Sequence, residues 1–309
     1  MGLSVARVEG KRIMAVSEGE ADFRGWKTWY RITGDLTSGK PPLVCLHGGP
    51  GVPHNYLLRY TALAAQTGRA VIHYDQVGCG RSTHLREKGP DFWQVPLFVE
   101  ELDNLLRHLG IAGGYHLLGQ SWGGMLASEH AVLRPAGLRS LVISNSPASM
   151  ELWLQEAGKL RDLLPTDVQA TLLRHEAAGT TSDPEYETAM MVFYERHVCR
   201  IPFPEEVAAS FALLAEDPTV YHTMNGPSEF HCIGTIKEWS IIDRLHQIAA
   251  PTLLISGRHD EATPAVVQPF ADRIPNVRWT VFEESSHLPH VEEPEACLAA
   301  VAAFIASYD

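Results

Sequence analysis

A chain of 309 residues, 45% hydrophobic and 20% charged, is long enough for one large α/β domain with an insertion or for two modest domains. A formal net charge of −12, with no Lys/Arg cluster against the acidic background, argues against nucleic acid as a partner. Five cysteines (Cys45, Cys79, Cys199, Cys232, Cys297) form no C-x-x-C pair and are expected to be buried or free thiols. The first residues carry Arg7, Glu9, Lys11 and Arg12 in place of a signal peptide's apolar core, and no run could span a bilayer, so a cytoplasmic protein without membrane attachment is expected.

From Val5 to Thr33 short apolar and polar runs alternate between glycines, which predicts an antiparallel hairpin or meander, with Trp26 to Ile32 as a half-exposed strand. Pro42 to Leu46 reads as a buried strand ending in the glycine-rich His47-Gly48-Gly49-Pro50-Gly51. After an amphipathic helical stretch from Tyr56 to Gln66, Ala70 to Tyr74 is a second buried strand, breaking at Asp75-Gln76-Val77-Gly78-Cys79-Gly80-Arg81-Ser82. Val95 to Leu109 has helical spacing, and Tyr115 to Leu118 is a strand that runs into Gly119-Gln120-Ser121-Trp122-Gly123 and then a packed helix. Leu138 to Ser144 makes the next strand. From Met150 to about Gly234 only helical patterns appear, and strands resume with Pro251 to Ser256 and Val277 to Phe282 before a last helix from Pro294. Alternating strands and helices predict an α/β fold, a mostly parallel sheet with helices on both faces. The helical run predicts a cap inserted after the sixth strand: residues 146–235 as the cap, 1–145 and 236–309 as the core.

The glycines around Ser121 suit a sharp strand-to-helix turn that pushes a serine hydroxyl into solvent, because strand and helix approach closely only where side chains are missing. A loop such as Gly48-Gly49 at a strand end can aim backbone N–H groups at a developing oxyanion. Asp260 follows the Pro251–Ser256 strand and His287 follows Val277–Phe282. In a parallel sheet these strand ends share one edge, and Ser, then acid, then His is the order a triad takes on this topology. The scattered histidines His222, His231 and His246 have no metal-ligand spacing, and neither metal nor organic cofactor is expected.

With these motifs in view, the chain resembles the proline iminopeptidase family of α/β-hydrolases over nearly its whole length, through HGGPG at 47–51, DQ-x-G-x-G-x-S at 75–82, GQSWGG at 119–124, Gly257-Arg258-x-Asp260 and Ser286-His287. The Asn225 to Phe230 segment and the Asp260-Glu261 pair resemble in particular the aminopeptidases and the L-amino-acid (L-proline) amide hydrolases. The resemblance implies a serine hydrolase with Ser121 as nucleophile, His287 as general base and acid, and Asp260 orienting it. Backbone N–H groups of Gly49 and Trp122 would form the oxyanion hole. The resemblance also implies that Glu229 and Glu261 face the substrate's α-amino or imino group, which would need a counter-charge once stripped of water.

The expected substrate is a small amino acid amide or short peptide with a free α-nitrogen, proline favoured, cleaved through an acyl-enzyme. The leading variant is L-prolinamide hydrolysis; the alternatives are release of N-terminal proline from peptides and, in another class, an esterase or lactonase for which Glu229 and Glu261 are incidental. Epoxide hydrolases and dehalogenases need a carboxylate where this chain has Ser121, and a pure binder has no use for the serine–histidine set. The residues do not indicate an oligomeric state.

Overall fold

The computed structural model describes residues 14–309, together with the backbone pairing of Arg7–Val8 with Lys11–Arg12. The expected meander before Met14 otherwise lies outside the described residues. We label the main-sheet strands β1 (Val16–Phe23), β2 (Trp26–Thr33), β3 (Leu43–Leu46), β4 (Val71–Tyr74), β5 (Tyr115–Gln120), β6 (Leu138–Ser144), β7 (Thr252–Gly257) and β8 (Val277–Phe282). They form one sheet in the order β8-β7-β6-β5-β3-β4-β2-β1. Pairing is parallel from β8 to β4, and β2 is antiparallel to both β4 and β1. The α/β-hydrolase fold expected from the sequence is the fold observed.

Strands β3, β4, β5 and β7 are buried at every position, as apolar runs covered by helices on both faces must be. On one face lie α2 (Val95–His108), α3 (Trp122–Val132) and α9 (Pro264–Arg273), and on the other α1 (Ala62–Thr67) and α10 (Pro294–Ala306). Between β6 and β7 the chain passes through α4 (Met150–Arg161), α5 (Thr166–Ala178), α6 (Pro184–His197), α7 (Glu205–Glu216) and α8 (Thr219–Met224).

Two local expectations differ from the structure. Residues His54–Thr61 form a 3-10 segment that becomes α-helical only at Ala62, where one helix was expected over 56–66. The carbonyls of Tyr56 and Leu57 accept instead from the ring Nε2 atoms of His290 and His73, each at 3.0 Å, which diverts them from regular helical bonding. Strand β2 lacks strict alternation, since Thr28 and Trp29 are both buried. Thr28 Oγ1 donates to Glu101 on α2 at 2.5 Å, and Trp29 packs on the His54 ring beneath the Arg81 guanidinium.

Candidate active site

Strand β5 delivers Ser121 on a backbone turned to φ 56°, ψ −124°, a strained conformation for any residue with a side chain. The turn is possible because Gly119 and Gly123 have no Cβ. One added at Gly119 would lie 2.0 Å from the Gly123 carbonyl oxygen, and one at Gly123 would lie 2.1 Å from that of Leu46. Gly123→Ala is therefore expected to destabilise the protein at the upper end of the roughly 1–3 kcal/mol typical of overpacking, read as a lower Tm.

The chain after β8 carries His287. Its Nδ1 donates to Asp260 Oδ1 at 2.7 Å, and Asp260 follows β7. Asp260 Oδ1 also accepts from the Ala262 amide at 2.9 Å, while Oδ2 accepts from Asn145 Nδ2 at 2.6 Å. Asn145, at φ 53° just past β6, also donates to the Ser286 carbonyl at 3.2 Å, tying the two loops together. Ser286 and Leu288 are held in turn by the Glu292 carboxylate. Burial alone disfavours the imidazolium of His287, but the Asp260 carboxylate, with Glu229 assisting, outweighs it and holds the pKa above the ordinary value.

Gly49, at φ 109°, has backbone atoms so close (Val52 N at 2.7 Å from a built Cβ) that a side chain would not fit. Its amide donates to no described residue. Trp122 opens α3, where an amide has no acceptor within the helix. The neighbouring Gly48 amide is already taken: it donates to Tyr56 Oη at 2.7 Å, Tyr56 donates to Gln120 Oε1 at 2.6 Å, and Gln120 Nε2 donates to the His287 carbonyl at 3.0 Å.

One pocket is lined by Gly49, Tyr56, Ser121, Glu229, Glu261 and His287, with Val198, Val207 and Phe211 closing it from the inserted helices. A second, smaller recess beyond Ser121 and Glu229 is walled by Trp122, Met125, Pro147, Met150, Trp153 and Ile236. Glu261 is fully buried, and neither of its carboxylate oxygens accepts a hydrogen bond from a described residue. Its Oε1 lies 3.8 Å from His287 Nε2. The Glu229 carboxylate, after α8, accepts from Tyr221 Oη at 2.6 Å, and its backbone amide donates to Tyr194 Oη at 3.3 Å. Burial raises the pKa of Glu229, with Tyr221 and His287 opposing it; burial, then Glu229 and Asp260, push that of Glu261 well up. The structure thus brings all seven residues singled out from the sequence to one place.

Tyr56 and Asn145 escaped the sequence reading, because a tyrosine in an amphipathic run or an asparagine after a strand carries no local signal. Gln76 and Gln120 stood only as letters of their motifs. Phe211 lines the pocket and Trp153 its recess, whereas Trp239 Nε1 donates to Glu129 at 2.8 Å away from both. All five cysteines are free and buried. His175, Asp183 and Glu185 lie within reach of a common point, but none lines the pocket, Glu185 pairs with Arg174, and Asp183 caps α6.

Residues 41–294 match the model of the α/β-hydrolase fold family. A proline iminopeptidase of Clostridium botulinum is 38% identical over 91% of this chain and 95% of its own length. Among solved structures, a proline iminopeptidase of Mycobacterium smegmatis is 53% identical, with a TM-score of 0.88 over 94% of this chain and 98% of that one. The structure of VinJ is 60% identical, with a TM-score of 0.93 over 95% and 99%.

Proposed function

We propose that this chain, which belongs to the proline iminopeptidase family of α/β-hydrolases, cleaves the amide bond that follows an N-terminal L-amino acid with a free α-nitrogen, proline favoured. The observation that carries this reading is the pair Glu229 and Glu261 in the pocket of Ser121 and His287, with Glu261 buried and without a hydrogen-bond partner among the described residues. An unpaired buried carboxylate is costly to keep. A substrate ammonium supplies the missing partner, and a neutral acyl group would leave it unpaired, which disfavours the esterase or lactonase reading.

In this reading Ser121 Oγ attacks the scissile carbonyl carbon and its proton passes to His287 Nε2. The carbonyl oxygen takes the displaced electron pair and is held by the Gly49 and Trp122 amides. His287 then protonates the leaving nitrogen as the C–N bond breaks, and a water, deprotonated by the same ring, releases the acyl group from Ser121. Asp260 fixes the ring through Nδ1. We further propose that residues 146–235 act as a cap over a core of 1–145 and 236–309. Support comes from the separate apolar cluster of Ala157, Leu172, Tyr186, Phe193 and Phe230, and from the inserted residues that border the pocket.

The relatives' names favour release of N-terminal proline from peptides. Hydrolysis of a small amide such as L-prolinamide is a second reading, favoured by the enclosure of Ser121, which is 8% exposed. Turnover of Pro-Gly against L-prolinamide decides between them: the larger kcat/KM names the leaving group, and a chain that cleaves neither yet hydrolyses neutral esters refutes both.

The pH profile has a definite sign. His287 must be neutral to accept the proton, and the acid pair must be ionised to hold an ammonium. With these pKa values raised, kcat/KM should climb with pH to a midpoint above the ordinary 6.5 of a histidine. It should fall again as the substrate α-nitrogen loses its proton near pH 8. A neutral ester substrate should show no alkaline limb of that origin.

A further inference from the structure

The Asp75–Ser82 loop holds a buried glutamine that the mechanism does not use. Gln76, just past β4, is 1% exposed and contacts both segments that carry the two free amides. Its side-chain Nε2 donates to the His47 carbonyl at 3.1 Å, and its Oε1 accepts from the Trp122 indole Nε1 at 2.8 Å. Its backbone amide donates to His47 Nε2 at 2.9 Å. That bond leaves the ring proton on Nδ1, which donates to the Gly48 carbonyl at 3.1 Å, and burial keeps the ring neutral by lowering its pKa to about 4. The Val52 amide donates to the same carbonyl at 3.2 Å.

The consequence is geometric. In a trans peptide the C=O and N–H point in opposite directions. Holding the Gly48 carbonyl against His47 and Val52 therefore turns the Gly49 N–H the other way. The preceding peptide is clamped at both ends too, its oxygen by Gln76 and its N–H by Tyr56. Asp75 stiffens the base of this arrangement, accepting from the His54 amide and ring and from the Arg81 amide.

We propose that Gln76 is a positioning residue of the oxyanion hole, a strut that fixes the His47–Gly49 loop relative to Trp122 so that both backbone amides face one point. The assignment rests on the reading of Gly49 and Trp122 as oxyanion donors. Gln76 touches no substrate; it acts through two neighbours.

The test is Gln76→Met, which keeps the volume and removes both side-chain hydrogen bonds. Removing an oxyanion donor outright typically lowers kcat by about 100- to 1000-fold, so misaligning one should lower it by roughly 10- to 100-fold, with KM for a free-amine substrate little changed. An α-amino aldehyde such as L-prolinal separates positioning from mere stability. Ser121 Oγ adds to its carbonyl carbon and the Ser121 proton passes to His287, which leaves the new oxyanion in the hole. Its affinity should drop by the same factor as kcat/KM, while the affinity for L-proline, which forms no such adduct, should not.

Trp122→Phe, which deletes the indole donor and keeps the backbone amide, is the second variant and is read in the same way if Gln76→Met fails to fold. A folded Gln76→Met with wild-type kcat and aldehyde affinity, or with a change in KM alone, overturns the strut. Turnover that persists in Ser121→Ala would instead overturn the nucleophile assignment on which it rests.

Discussion

Ser121→Ala is expected to lower turnover by on the order of a millionfold, because the proposed nucleophile and its base act as a unit and losing one forfeits nearly all that the pair supplies. The fold should survive: Ser121 Oγ supports no structural hydrogen bond among the described residues, and the strained turn is defined by Gly119 and Gly123. A fluorophosphonate gives a second readout. It should phosphonylate the wild-type serine with loss of fluoride, seen as a mass increase on the peptide containing Ser121, and should leave the alanine variant unmodified. Asp260→Asn keeps the shape but presents an amide to His287 Nδ1, which favours the wrong tautomer, and a loss of about ten-thousandfold is expected. Wild-type rates in either variant would place the chemistry elsewhere.

The second large effect belongs to the acid pair. On the proposed reading Glu261→Gln removes one of two carboxylates that together face a substrate ammonium, and breaking a buried charge pair costs about 2–5 kcal/mol, roughly 30- to several-thousandfold in kcat/KM. Glu229→Gln should behave similarly, although the Tyr221 hydroxyl can still donate to the remaining oxygen. Stability should move the opposite way.

In the free protein burial, and then repulsion from Glu229 and Asp260, oppose ionisation of Glu261, so its folded pKa lies well above the ordinary 4.5. The folded state therefore binds more protons than the unfolded one above pH 4.5, and this group's contribution to stability falls as pH rises from there until the folded pKa is passed. Glu261→Gln should raise the Tm, and by more at pH 8 than at pH 5. Glu101, buried beneath Thr28 with its pKa pushed up to about 8 by burial, contributes a background of the same sign that both proteins share, so only the difference between them is diagnostic.

Much of this was legible in the chain because its determinants are local. Strands buried on both faces are largely apolar runs, and β3, β4, β5 and β7 read as such despite His73 and His116; a strand-to-helix turn tight enough to present Ser121 must be flanked by glycines. The order of Ser121, Asp260 and His287 along the chain suffices to place them on one edge once the sheet is known to be parallel. Features set by distant partners were not legible. The 3-10 segment at His54–Thr61 depends on His73 and His290, which cannot be seen from the segment itself. The burial of Thr28 beside Trp29 depends on Glu101, 73 residues away. Tyr56 and Asn145 are ordinary in sequence and become part of the site only through the carbonyls and carboxylates the fold sets beside them.

The most direct test of amine recognition compares kcat/KM for L-prolinamide and N-acetyl-L-prolinamide in the wild-type protein and in Glu261→Gln. The two substrates share the scissile bond and differ at the nitrogen, which acetylation both neutralises and enlarges; the variant separates charge from bulk, since only the loss of charge recognition lowers its rate on the free amine. The account predicts that wild type cleaves the free amine and leaves the acetylated amide essentially untouched, and that Glu261→Gln narrows the gap mainly by losing the free amine. Comparable rates on both substrates in the wild type, unchanged in the variant, would contradict it and make the two carboxylates bystanders to the chemistry at Ser121.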